Sequence, residues 1–199
     1  MLSLMARWEP DAVGRLQKAA MQLYREPGYD KVTVAEIAER ADVTRRTFFR
    51  YFADKREVLF YGAAALESFV AQAVLAATRA PALEIVVEAL AAVTIRLDDD
   101  KAFAKFARQR YALIQTYAEL RERDLAKLAS LASAASETLR RRGFGEPAAS
   151  LAAEAGMSVF KIGFERWIDD PKHRKMAHHL RETMRGLETL VREKRPPQS

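Results

Sequence analysis

The side chains best able to do chemistry in this chain lie between Thr33 and Lys55, and what they can do is hold a polyanion. Arg45, Arg46 and Arg50 alternate with Thr44, Thr47, Phe49 and Tyr51. A guanidinium can donate two parallel hydrogen bonds to guanine O6 and N7, worth about 1–3 kcal/mol of discrimination against a wrong base. Arg45 and Arg46 stand at the N-terminal end of their segment, the end that reaches base edges when a helix enters a major groove. Thr47 can offer its methyl or hydroxyl to a base or a phosphate. Thr33, Tyr51 and Lys55 carry donors suited to phosphate oxygens, and Lys55 falls in the first turn of an expected helix, where backbone N–H groups are also free. The alternative is an ordinary three-helix bundle with a solvated basic face.

Bond-making chemistry lacks its usual groups. There is no cysteine, so disulfides and thiolate metal sites are excluded. The three histidines, His173, His178 and His179, sit in a highly charged stretch that reads as a solvated helix start, without catalytic or zinc spacing. No glycine-rich phosphate loop or Gly-x-Ser-x-Gly turn occurs. The sequence therefore predicts no enzyme, metal or cofactor. A net charge of +6 and a pI near 9.6 favour polyanionic partners, though only modestly. Tyr61 to Leu97, the most apolar region, is interrupted by Glu67, Arg79, Pro81, Glu84 and Glu88, so it lacks the roughly 20 apolar residues of a membrane span. A soluble cytoplasmic protein with no membrane partner is the expectation.

The elements that must position these groups all read as helices. Eight glycines and seven prolines punctuate the chain. Apolar spacing predicts a first helix over Pro10–Arg25, closed by Pro27-Gly28. Thr33 with Glu36 forms a capping-box signature for a helix to Arg40; Ala41-Asp42-Val43 is the turn, and Thr44 caps a third helix to Tyr51. Asp54 with Glu57 predicts another box, opening a long helix to Thr78. Pro81 is expected at the first helical position of a helix to Leu97, with Asp98-Asp99-Asp100 capping the next, Lys101 to Thr116. A seventh helix runs to Arg142 and ends at Gly143-Phe144-Gly145. Pro147 opens an eighth to Ile168, and Asp170-Pro171 opens a ninth to Arg192. The expected fold is all-α with about nine helices: a helix-turn-helix DNA-binding head over residues 10–56, a second helical domain over 57–193, and a flexible tail over 194–199.

The run Gly28-Tyr29-Asp30, Thr33 to Ala38, Ala41 to Thr44, Thr47 to Phe52, Asp54-Lys55 and Val58-Leu59 resembles the N-terminal domain of the tetracycline-repressor (TetR) family. The resemblance covers roughly residues 10–60. It implies that Thr33 starts the second helix, that the Thr44–Tyr51 helix reads the groove, and that Lys55 touches phosphate. The family usually has a phosphate-bonding tyrosine at Phe49. Phenylalanine lacks that hydroxyl, and contact with a sugar or a thymine methyl can replace it. The family's turn commonly reads Ala-Gly-Val; aspartate at position 42 tolerates left-handed backbone better than most residues.

Residues 61–199 resemble the family in helix count and length. The resemblance implies a ligand pocket among helices four to eight and dimerisation through the last two. Leu151, Ala155, Val159 and Ile162 on the eighth helix, with Met176, Leu180, Met184 and Leu187 on the ninth, form the candidate dimer stripes; packing inside a monomer is the alternative. Phe103, Phe106, Arg110, Tyr111, Gln115, Phe160, Phe164 and Trp167 are the pocket candidates, each with ordinary core packing as its other reading. A buried Arg110 needs an acceptor, which hints at an acidic ligand. The implied function is a dimeric repressor on a palindromic double-stranded operator, released by a small-molecule effector. A ligand-independent architectural protein, or an activator using the same head, is the alternative.

Overall fold

The computed structural model describes residues 12–95 and 101–192; among them it holds nine α-helices and no strand. They are α1 (Ala12–Leu23), α2 (Val34–Arg40), α3 (Arg45–Tyr51), α4 (Ala63–Ala76), α5 (Ala82–Val93), α6 (Lys101–Thr116), α7 (Ala118–Arg141), α8 (Ala148–Ile168) and α9 (Met176–Arg192). Pro10, the aspartates at 98–100 and the tail at 194–199 lie outside the described residues, as does the Phe103 side chain. The chain packs as two compact units. One takes the chain up to Ala63 together with Arg108–Leu125; the other takes Ala64–Ala107 and the chain from Ala126 onward.

In the first unit, α1 packs on α2 and α2 on α3 around Leu16, Ala20, Tyr24, Ile37, Phe48, Phe52 and Val58, all buried. A π-turn, Tyr24–Gly28, follows α1, and a 3-10 turn, Tyr29–Lys31, leads to α2. The Tyr117 ring lies 5.2 Å from that of Tyr29, and its hydroxyl accepts from the Tyr29 backbone N–H at 3.2 Å. Packing thus brings residues 108–125 to the N-terminal helices.

The expected long fourth helix is interrupted. Glu57–Phe60 forms a 3-10 turn, and Gly62 takes φ +86°, a left-handed backbone that α-helix cannot continue through. Asp54 does cap this segment, accepting from the Arg56 and Glu57 backbone N–H groups at 2.7 and 3.2 Å. The reciprocal half of the box is missing, because the Glu57 carboxylate is held by the Arg123 guanidinium through Nε and Nη2, the second at 2.9 Å. Against the expectation that this region holds no span-length apolar run, Glu57–Ala76, 20 residues with mean hydropathy 1.6, is long and apolar enough by composition to cross a membrane. The break at Gly62 leaves α4 with 14 residues, about 21 Å of helix against the roughly 30 Å of a hydrocarbon core.

The second unit is built on α5, α8 and α9, around Val86, Leu90, Ala153, Met157, Trp167, Met176 and Leu180. Two glycines set the approach distances. A Cβ on Gly156 would strike Val86, and one on Gly163 would lie 2.7 Å from Leu180 Cδ2 and 3.3 Å from its Cα. Arg142 closes the C-terminal end of α4, donating to the Val74 and Ala77 carbonyls at 2.6 and 2.8 Å.

Further helix boundaries differ from expectation. Pro81 is the residue before α5 rather than its first, with extended ψ. Asp170-Pro171 does not open α9, which starts at Met176. Asp170 is buried and caps a loop instead, accepting from the backbone N–H groups of Lys172 and Arg174 at 3.0 and 2.9 Å and from the Arg174 side chain. His179 is likewise no solvated residue: it is buried, with Nε2 3.0 Å from Asp170 Oδ2.

Candidate nucleic-acid interface

The helix-turn-helix segment is assembled by short-range caps. Glu36 N–H donates to Thr33 Oγ1 at 3.3 Å, and Glu36 Oε2 accepts from the Thr33 N–H at 2.7 Å and its hydroxyl at 2.8 Å, so both halves of the capping box form. These bonds, the backbone one foremost, hold the Glu36 carboxyl below its ordinary range. Asp42 takes φ +52°, and the Val43 N–H returns to the Ala38 carbonyl at 3.0 Å. Thr44 then caps α3, accepting from the Thr47 N–H at 3.1 Å.

Phe48, fully buried, pins α3 inward, with Phe52 5.4 Å away. With that face fixed, the 3.6-residue period turns Arg45, Arg46, Phe49 and Arg50 outward, and all four are exposed. Phe49 leaves 50% of its surface in water while its ring meets Phe48 edge-on at 5.5 Å.

The other predicted contacts are engaged within the chain. Thr47 is half-buried, its hydroxyl 3.0 Å from that of Thr44. Tyr51, also half-buried, accepts from Arg50 at 2.8 Å, with the guanidinium 4.8 Å from its ring centre. The Lys55 ammonium donates to the Tyr29 and Val32 carbonyls at 2.9 and 3.1 Å and lies 4.3 Å from the Tyr29 ring centre. Two of its three N–H groups therefore fasten the turn before α2. Tyr24 secures the Lys55 backbone in turn, its phenol donating to the Lys55 carbonyl at 2.6 Å.

The pocket candidates are not gathered together by either unit. Arg110, Tyr111 and Gln115 belong to the first, Phe106, Phe160, Phe164 and Trp167 to the second. Arg110 obtains its acceptor from the chain, donating to the Leu59 carbonyl at 3.2 Å with its guanidinium 5.8 Å from the Phe60 ring centre. Burial pushes its pKa down and the Asp124 carboxylate opposes the shift. Gln115 is exposed, while Phe106 and Tyr111 are half-buried. Phe160, Phe164 and Trp167 stack in series on α8, 6.1 and 5.5 Å apart, against the core. A groove of about 220 Å³ between α7 and α8 is lined by Ser133, Ser136, Arg140 and Ser150, and a shallower one of about 340 Å³ by Arg174, Lys175, His178, Arg181 and Arg185; neither touches a candidate.

The candidate dimer stripes divide by burial. Val159, Met176 and Leu180 are buried within the chain, while Ala155, Met184 and Leu187 are half-buried. Leu151 and Ile162 are 64% and 48% exposed, as are Leu190 and Val191 at 67% and 78%. Sequence reading missed Arg123 and did not give Tyr117 and Asp170 the roles they take here. Each acts on a partner far along the chain or across a loop, and no local pattern marks such a pairing.

A short arginine-bearing helix, anchored by one buried phenylalanine behind a left-handed turn, defines a helix-turn-helix DNA-binding protein. Residues 16–61 match the family described as bacterial regulatory proteins, tetR family, and residues 80–192 match the MftR C-terminal domain. The chain belongs to the TetR family and is a DNA-binding transcriptional regulator. It is 43% identical over 58 residues to the HTH-type transcriptional regulator TcmR of Streptomyces glaucescens, a match spanning 29% of this chain and only 26% of TcmR. The fold is similar to that of the repressor FadR of Thermus thermophilus in complex with lauroyl-CoA, at 24% identity, with 94% and 98% of the two chains covered and a TM-score of 0.53. It is also similar to the SmeT–triclosan complex, SmeT being the repressor of a Stenotrophomonas maltophilia efflux pump, at 16% identity, coverages of 88% and 90%, and a TM-score of 0.61.

Proposed function

We propose that this regulator is a homodimeric repressor that grips a palindromic operator with two copies of α3 and leaves it when a small organic molecule binds the helical domain. The observation that carries the reading is the outward set Arg45, Arg46, Phe49 and Arg50 on a helix whose opposite face is pinned by Phe48. Arg45 and Arg46 would read guanine edges. Thr33, Thr44, Thr47 and Tyr51 would approach the backbone, and Lys55 would contribute its remaining N–H to a phosphate. One short helix meets too few bases for useful specificity, so two heads about 34–36 Å apart on successive major grooves are the expected arrangement. Leu151, Ile162, Leu190 and Val191 offer apolar surface for the pairing. Repression and effector release draw support from the printed descriptions of FadR with lauroyl-CoA and SmeT with triclosan. An effector that binds one head spacing better than the other must shift DNA affinity by the same factor.

The test is selection of duplexes from a randomised pool, followed by titration of Arg45→Ala and Arg46→Ala. An inverted repeat is expected, with each variant losing about tenfold or more on it, consistent with a contact worth about 1–3 kcal/mol. Enrichment of no sequence, with binding that fades uniformly in salt, would sink the reading.

A further inference from the structure

We propose that Phe49 reads the C5-methyl group of a thymine lying within two base steps of a guanine contacted by Arg45 or Arg46; this rests on the DNA-reading role of α3. The outward face of α3 carries one apolar group among three guanidiniums, and that group is half in water. Phe48 holds the Phe49 ring edge-on at 5.5 Å, which fixes its direction while leaving its outer half free. The ring has no hydroxyl to donate to a phosphate oxygen, and its face is electron-rich. The major groove presents one apolar landmark, the thymine methyl, and an aromatic ring is among the groups that meet it.

Spacing gives the register. Phe49 stands three residues beyond Arg46 and four beyond Arg45, about 4.5 and 6 Å along the helix axis. Successive bases on one strand are about 3.4 Å apart. An arginine on guanine therefore brings Phe49 over a base one or two steps away. The step read by each head is guanine with a nearby thymine, where guanine supplies the polar anchor and thymine the apolar one.

The experiment uses the duplex selected by the wild-type protein, with each thymine replaced singly by uracil to delete only the methyl group, and fluorescence anisotropy as readout. One thymine per half-site, within two steps of a guanine, is expected to lose about fourfold in affinity on replacement, the worth of one buried methyl-sized group. Phe49→Ala is expected to bind the thymine and uracil duplexes equally, and Phe49→Leu to keep part of the difference. Half of Phe49 is already in water, and circular dichroism would confirm that both variants fold as the wild type does. The proposal is overturned if the wild type ignores every methyl deletion. It is also overturned if Phe49→Ala still distinguishes the two duplexes, or if the selected half-site has no thymine near a guanine. Phe49→Ala weakening both duplexes alike, with no methyl effect in the wild type, would assign the ring to a sugar instead. Recovery of no preferred duplex would remove the DNA-reading role itself, and this proposal with it.

Discussion

Asp170 shows how one carboxylate can organise a loop where the sequence pattern predicts a helix start. Its oxygens accept from two backbone N–H groups and the Arg174 guanidinium in the loop that leads into α9, and from His179 in the first turn of α9 itself. The Arg174 side-chain bonds first, then the backbone and His179 bonds, hold its pKa well below the ordinary 3.8 despite burial. A depressed folded-state pKa means that the carboxylate stabilises the fold fully above about pH 4, the unfolded value, and loses that contribution as pH falls toward the folded one. Asp170→Asn should therefore lower the urea midpoint clearly at pH 7. The gap to wild type should narrow steadily below pH 4, as urea melts at stepped pH would show. A gap that widens in acid would contradict the assignment.

At the scale of elements, the separation of α8 from α9 is set by an absent side chain. Gly163 lets Leu180 approach to where a Cβ would sit 3.3 Å from backbone Cα as well as 2.7 Å from a movable methyl. The methyl can swing aside but the backbone contact cannot be relieved without moving α9. Gly163→Ala should destabilise by about 1–3 kcal/mol, the usual range for overpacking, despite the better helix propensity of alanine. Equilibrium denaturation would measure this, and an unchanged or raised midpoint would refute the close packing. The helix-turn-helix depends on a different kind of contact. Its caps at Thr33 and Thr44 join residues three positions apart and need no other element.

For the molecule as a whole, the proposed pairing of copies would draw on the apolar surface left outside. Leu151, Ala155 and Ile162 lie on one stripe of α8, four and eleven residues being close to whole turns. Leu190 and Val191 extend the apolar surface on α9. Ile162→Glu combined with Leu190→Glu changes no buried residue, so the fold should persist. Sedimentation equilibrium should then report monomers, and affinity for a palindromic duplex should fall by more than about tenfold through loss of bivalent grip. Dimers that survive both charges would place the interface elsewhere.

The local chemistry of the chain was enough to determine the helix-turn-helix and most helix ends. The Thr33–Glu36 box, the left-handed Asp42, the Thr44 cap and the stop at Gly143 each depend on atoms within a few residues, so their geometry follows from the residue types in order. Side chains whose partner lies elsewhere required the tertiary structure. Lys55 was legible as a cation but not as a latch on carbonyls 26 and 23 residues earlier, nor was Arg110 as a donor to a carbonyl 51 residues away. Helical periodicity assigned Val159, Met176 and Leu180 to an apolar face without telling which neighbour would cover it, and α5, α8 and α9 cover it from within. Hydrogen bonds of a cap are fixed by chain geometry, whereas the occupant of an apolar face is fixed only when all the helices compete for it, and that competition leaves no mark in any single segment.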